Sequence, residues 1–362
     1  DNVWYSYVTR RAIGLMVPII ISHQFIFYMK KHILLISLII LAVILIFVFV
    51  NKKEPVDFST LPKASLQFSW FPNAVFTGDI VGVEKFSHEN GINLSAMFGG
   101  IGVNPIQLVI AGERTFGWAS ADEVLVANEK GADLVIVGVI NDVNPTAFAS
   151  LPEKNITTLQ DFKGKKVGVL PFGGSTMLYE IMLKKNGINR QDISEITISG
   201  DIKQLIAGAY DIQPILMADE GVTLDIEGVP HNLIMAEDYG TKSIKGYVYF
   251  AKRSTVEENP ELVQSFVNTM ADGWKYTIKN PQKALEIFAE HVADPSMNMA
   301  RETKVLETAI PYMLRYNNEP INSDVSYGWQ EMVDELKSVG VLKNNVDFGK
   351  VLRFEFINKY YR

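Results

Sequence analysis

The chain has 362 residues, 48% of them hydrophobic and 21% charged, a balance that suits a globular protein of about two domains. It contains no cysteine, which excludes disulfides, thiolate metal sites, iron–sulfur clusters, cysteine nucleophiles and lipid attachment through a thiol. Without residues 1–50 it carries 30 basic and 40 acidic residues, a net charge of −10, and this argues against a nucleic-acid partner because phosphate binding needs a basic face.

Residues 33–50 (ILLISLIILAVILIFVFV) are apolar apart from Ser37, and about 18 such residues are enough to span a bilayer. Lys30, Lys31 and His32 precede them, so the residues before the span are predicted to be cytoplasmic and the rest exported. The run is long for a signal peptide, and NKKEPVDF after it offers no small-residue cleavage site. It therefore reads as an uncleaved transmembrane anchor within residues 29–50, with residues 51–62 as a short tether. Residues 1–28 read as over-extended translation ahead of Met29-Lys30-Lys31. A second, weaker span over residues 12–28 is the rival reading.

The exported part opens on LQFSWFPNAVFTG, residues 66–78. Leu66, Phe68 and Trp70 alternate with Gln67 and Ser69, which predicts a half-buried strand that Pro72 stops. A helical pattern follows from Gly78, so the segment reads as a first strand–loop–helix unit of an open α/β sheet. Ligands bind such sheets beyond the carboxyl ends of the strands, where Trp70 to Asn73 would sit. Residues 92–97 predict a strand, the Gly-rich FGGIG at 98–102 a turn, and residues 105–111 a short helix. Another strand over 115–119 runs into Ser120-Ala121-Asp122-Glu123, where Ser120 or Asp122 would cap a helix and present backbone N–H groups to a ligand. The unbroken apolar run 134–140 reads as a strand buried on both faces by parallel packing.

Residues 158–170 predict a short capped helix and a strand, then Pro171-Phe172-Gly173-Gly174-Ser175-Thr176 leads into a helix over 177–186. This second strand–loop–helix unit mirrors the first. Gly173 and Gly174 permit close backbone approach, and Ser175 or Thr176 would cap the helix while offering a hydroxyl. Residues 202–209 predict a helix and 210–216 a strand ending at Asp219-Glu220, read as acceptors for a cationic or amine-bearing ligand. A strand starts at Tyr247, and the carboxyl-terminal third is helical.

Several segments, in this order, resemble one family: WFPN (70–73), ADE (121–123), KGADLVIVG (130–138), LQDFKGKKVGV (159–169), AGAYDIQPILMADEG (207–221), ENPELVQSFV (258–267) and DVSYGWQEMVDELKSVGVL (324–342). Together they are similar to the substrate-binding proteins of nitrate-, sulfonate- and taurine-type ABC transporters, and most of all to the branch that binds pyrimidine precursors of thiamine. The resemblance covers residues 63–360. It implies a two-lobe α/β fold of the periplasmic-binding-protein type 2 class with two crossover strands, lobe one being 63–146 plus 250–362 and lobe two 147–249. It implies a monomeric, extracytoplasmic, membrane-anchored solute receptor, with an ABC permease and its ATPase subunits as partners and no cofactor.

Carried over position by position, the resemblance puts Trp70, Phe71 and Asn73 on the ligand, together with Trp118, Ser120 and Asp122. Gly173, Gly174, Ser175 and Thr176 belong to the second loop, Glu220 would meet an aminopyrimidine edge, and Tyr247 completes the set. Two departures bear on the ligand: AVFTG follows the proline–asparagine pair where the pyrimidine branch often has a histidine, and PFGGST is closer to the sulfonate and taurine pattern. Riboflavin or a sulfonate-, taurine- or nitrate-type anion is therefore the alternative ligand. Related fungal enzymes build the pyrimidine with a Cys-rich motif and a histidine, and this chain has no cysteine. An enzyme built on Asp122/Glu123 or Asp219/Glu220, and a sensor ectodomain, are the other classes considered. Hinge motion is expected near residues 144–150 and 246–250.

Overall fold

The computed structural model describes residues 32–37, 40, 60–171, 173–314, 319–321 and 328–362. The chain forms two compact units, Asp1–Asp57 and Phe58–Arg362. In the first, residues 32–37 are helical, Ile33 to Ile36 are exposed, and the Ser37 hydroxyl donates to the Leu34 carbonyl at 2.8 Å. Most of the expected span at 33–50, all of residues 1–28 and most of the tether lie outside the described residues. Among the described residues no helix is long and apolar enough to cross a membrane.

The second unit carries two sheet systems. In the first, β1 (Lys63–Gln67) lies between β2 (Asn93–Met97) and β3 (Phe116–Ser120), parallel to both. A later strand, β10 (Tyr247–Lys252), runs antiparallel between β3 and β4 (Leu134–Val139), giving the order β2-β1-β3-β10-β4. The second system holds β5 (Thr146–Ser150) antiparallel between β8 (Gln213–Leu216) and β9 (Asn232–Met235). Beside it β6 (Lys166–Val169) and β7 (Ser194–Thr197) form a parallel pair. A bridge from Val167 to Ile212, with the Gly168 N–H on the Ile212 carbonyl at 2.8 Å, extends the array to β7-β6-β8-β5-β9. The two arrays have the same order, and in each the one antiparallel strand has crossed over from the other.

Here the run 134–140 departs from expectation. β4 is buried along its whole length, yet it is the edge strand and its partner β10 is antiparallel. Hydrophobicity records burial and not the direction of the neighbour. β4 is covered by the carboxyl-terminal segment, where Leu352 bridges Ile136 and Arg353 N–H reaches the Ile136 carbonyl at 2.9 Å. The chain passes between arrays at residues 140–145 and 240–246. Residues 146–150 and 247–250 lie within β5 and β10 and so belong to regular pairing.

The helices Pro260–Lys279, Pro281–Val292 and Met299–Met313 supply the core behind the first array through Phe266, Trp274, Phe288, Val305 and Leu306, all at most 1% exposed. Each of the first two starts with proline at its first position, where the missing N–H costs no hydrogen bond. The Phe266 ring stacks on Phe116 of β3 with centroids 3.8 Å apart.

Candidate functional site

Beyond the carboxyl ends of the strands a cavity of about 90 Å³ opens between the two arrays. From the first come Trp70, Asn73, Phe76, Trp118, Glu123 and Tyr247; from the second come Leu170, Gly173, Gly174, Ser175, residues 214–216 and Glu220. Among the described residues, no lysine, arginine or histidine lines it.

The loop after β1 turns because Pro72 cannot continue the ladder. The Asn73 side chain then caps the short helix Ala74–Phe76 by accepting the Val75 N–H at 3.0 Å. Its amide nitrogen donates to Asp219 at 2.8 Å, across to the second array. Trp70 faces the cavity, whereas Phe71 meets Trp70 edge-on and stays 46% exposed outside it. Trp118 of β3 and Tyr247 of β10 are diagonal neighbours, since Tyr247 pairs with Ser120, and their rings stack at 3.9 Å and 22°. Phe76 contacts Trp118 edge-on at 5.2 Å. Both residues line the cavity and form its aromatic wall together with Trp70 and Phe76.

At the end of β3, Ser120 caps the helix Ala121–Glu129 in a capping box with Glu123. That geometry turns Ser120 and Asp122 inward, hydrogen-bonded to each other and wholly buried, while Glu123 reaches the cavity. The helix of the second loop begins at Gly174, three residues earlier than its sequence pattern implies, with Gly173 at the cap and no side-chain capping bond. Ser175 and Thr176 therefore stand in the first turn and are not caps, because a bare Gly-Gly backbone already adopts the helical entry. Thr176 donates to the Leu170 carbonyl at 2.9 Å and does not line the cavity. A Cβ on Gly174 would stand 2.7 Å from the Ser120 hydroxyl oxygen, so glycine is what lets the two arrays approach at this point.

After β8 a turn of π-helix, Met217–Gly221, carries the acidic pair. Such wide turns recur at functional sites. Asp219 is 6% exposed, bonded to Asn73 and Arg301, and does not line the cavity as the acceptor for an amine-bearing ligand read from the sequence. Glu220 lines the cavity, one of its oxygens accepting the Leu216 N–H at 2.9 Å. Burial, then the neighbouring Asp219, pushes Glu220 up to about 8. Burial, then Asp122, pushes Glu123 to about 8 as well, although N–H groups of Ser120 and Gly173 favour its ionised form. Burial raises Tyr247 far above the phenol range, helped by Glu123 and Glu220. Near neutral pH the site presents two carboxyls able to donate as well as accept, beside an aromatic wall.

Of the twelve residues singled out from sequence, the structure brings Trp70, Asn73, Trp118, Gly173, Gly174, Ser175, Glu220 and Tyr247 to the cavity, and leaves Phe71, Ser120, Asp122 and Thr176 off it. Phe76, Leu170 and residues 214–216 line it without having been singled out, and so does Glu123, which the sequence offered only beside Asp122 for an enzyme and not as a ligand contact. Glu123 was within reach: in a capping box the third helical residue, and not the second, turns back towards the cap.

The profile of the NMT1/THI5-like family matches residues 73–284, more than half of the chain. A formylaminopyrimidine-binding protein of Halalkalibacterium halodurans is 22% identical over 286 residues, covering 77% of this chain and 86% of that protein. The riboflavin-binding protein RibY of Chloroflexus aurantiacus is 23% identical, covering 82% and 87%. A 4-amino-5-hydroxymethyl-2-methylpyrimidine phosphate synthase of Legionella pneumophila is 20% identical, covering 82% and 92%. Among solved structures, the periplasmic aliphatic sulphonate binding protein SsuA of Escherichia coli superposes with a TM-score of 0.60 at 17% identity, over 83% of this chain and 99% of that one. The fold is that of the periplasmic binding proteins.

Proposed function

This chain belongs to the NMT1/THI5-like family, and from that premise we propose that it is the extracytoplasmic solute-binding component of an ABC importer, closing on a small heteroaromatic ligand of the aminopyrimidine type. The first array with the carboxyl-terminal helices acts as one lobe and the second array as the other, β10 and β5 being the strands each receives across the crossings, so the boundaries fall at residues 140–145 and 240–246 and not at 146/147 and 249/250. One observation carries the reading: Glu220 and Glu123 share a small aromatic-walled cavity that no basic side chain among the described residues lines. An aminopyrimidine offers a ring nitrogen that accepts next to an amino group that donates. A protonated carboxyl matches both atoms, and so does a carboxylate facing a protonated ring. An anion would find no countercharge and two acidic groups.

The size of the cavity favours one ring. A cavity of about 150 Å³ is enough to seat benzene; this one, about 90 Å³, needs modest widening for a pyrimidine and far more for the three rings of riboflavin. A sulfonate, taurine or nitrate ligand is the second reading, favoured by the backbone N–H groups of Gly173 to Ser175 in the cavity wall. Against enzymatic chemistry, no histidine among the described residues lines the cavity, and the chain has no cysteine nucleophile. Anchoring through residues 33–50, a permease partner and a monomeric state complete the proposal. Calorimetric titration of the full chain with 4-amino-5-hydroxymethyl-2-methylpyrimidine and with methanesulfonate separates the readings: saturable 1:1 binding of the first alone is expected, and binding of the second alone overturns it.

A further inference from the structure

Resting on that two-lobe reading, we infer that Asp219 and Arg301 form a latch that holds the lobes closed over the cavity. Arg301 stands in the first turn of the helix Met299–Met313, whose Val305 and Leu306 are built into the core of the first array. Asp219 belongs to the π-turn that follows β8 of the second array. The Arg301 guanidinium is ion-paired to the Asp219 carboxylate, and its Nε donates to the Thr223 hydroxyl at 3.0 Å. Asn73 donates to the other Asp219 oxygen at 2.8 Å. Glu302 balances the arrangement: one of its oxygens pairs with Arg301 at 2.6 Å, and the other accepts the Ala74 N–H at 2.6 Å.

Three segments far apart in sequence therefore meet on one buried carboxylate. Two of the three also line the cavity, through residues other than the ion pair. Asn73 and Trp70 line the cavity from the first loop and Glu220 lines it from the π-turn, while Arg301 and Asp219 do not. Opening the lobes would separate Asp219 from both Asn73 and Arg301. Asp219 is nearly buried and Arg301 partly so, and water screens their attraction less than at a surface; removing either partner leaves an uncompensated charge in the closed arrangement. Closing brings Trp70, Asn73 and Glu220 to their places in the same movement.

The absence of cysteine makes the test direct, since introduced cysteines are the only labelling sites. Glu89 and Lys184 are exposed, one beside the first array and one on the second-loop helix. Spin labels on E89C and K184C in the full chain report lobe separation by pulsed electron paramagnetic resonance. Without added ligand, the separation given by this structure should be populated. R301Q and D219N should each lower the closed-to-open ratio at least tenfold, and R301K should lower it less, since it keeps the charge but loses the fork. The R301Q/D219N double variant should fall no further than either single variant, because one interaction is lost once. A cooperative melt for each variant shows that it folds. Unchanged distances in R301Q and D219N, with only a lower melting temperature, would make the pair a plain structural contact and overturn the latch. Absence of the closed separation in the unsubstituted chain does the same. These readouts need no ligand, so failure of 4-amino-5-hydroxymethyl-2-methylpyrimidine to narrow the distribution counts against the pyrimidine reading alone.

Discussion

Glu220 reaches the cavity with its proton held to about pH 8, and that single property shapes what the site can bind. Replacing it with alanine removes a charge-assisted contact of about 1.5–3 kcal/mol, so aminopyrimidine affinity should fall roughly 10- to 150-fold. Glutamine keeps one donor and one acceptor and should restore part of that, both measured by calorimetry. The carboxyl and the ligand share one proton in the bound pair, so affinity should hold through neutral pH and weaken as pH rises above about 8. Stability follows the same sign. Glu123 and Glu220 titrate higher folded than unfolded, from 4.5 to about 8, so their contribution is complete in acid and is lost as pH climbs through that window. The E123Q/E220Q double variant should flatten the melting profile between pH 5 and pH 8; an unchanged profile would show that neither carboxyl is buried as described. Glu220 was legible because an acidic pair at a strand end stands out in a sequence. Arg301 was not, because its partner Asp219 is 82 positions away and nothing local marks the pair.

At the scale of elements, the two strand–loop–helix units were legible from alternation, proline and glycine, which are local signals. Strand direction was not. β4 and β10 pair antiparallel because the chain returns from the second array, and no residue within β4 records that event. The entry to the helix Gly174–Lys185 was misplaced for a similar reason: Ser175 and Thr176 are capping types, but the backbone of two glycines starts the helix before them. Alanine at Gly174 tests this entry. Its Cβ would lie 2.7 Å from the Ser120 oxygen and 3.2 Å from Asn144 Nδ2, both inward-facing groups with little room to move. The expected cost is about 1–3 kcal/mol in denaturant unfolding. An unchanged midpoint would mean that the arrays do not meet here as closely as described.

Across the whole molecule, the crossings decide how the halves move. The Asn141 side chain accepts the Tyr247 N–H at 2.8 Å and donates to the Val143 carbonyl at 3.0 Å, tying one crossing to the other. Gly246 fits beneath it because a Cβ there would stand 2.7 Å from both the side chain and the carbonyl of Asn141. Lys245 pairs with Asp142 at 2.8 Å beside them. Alanine at Gly246 should force the crossings apart and broaden the lobe separation even in a chain that still folds. The order of family-like segments made the two-lobe plan readable from sequence, since order reflects topology. The choice of Glu123 over Asp122 was a local matter of the capping box, whereas the latch on Asp219 needed the three-dimensional meeting of distant segments.

The central claim is that this cavity takes a flat, amine-bearing ring and rejects anions. Thermal unfolding of the full chain against aminopyrimidines, riboflavin, taurine, alkanesulfonates and nitrate tests it most directly. A ligand at about 100 times its dissociation constant adds roughly 2.7 kcal/mol, a shift of several degrees. Such a shift is expected with 4-amino-5-hydroxymethyl-2-methylpyrimidine or its formylamino relative, and is expected to be absent in Glu220→Ala. A shift with sulfonates or nitrate, and none with any aminopyrimidine, would contradict it.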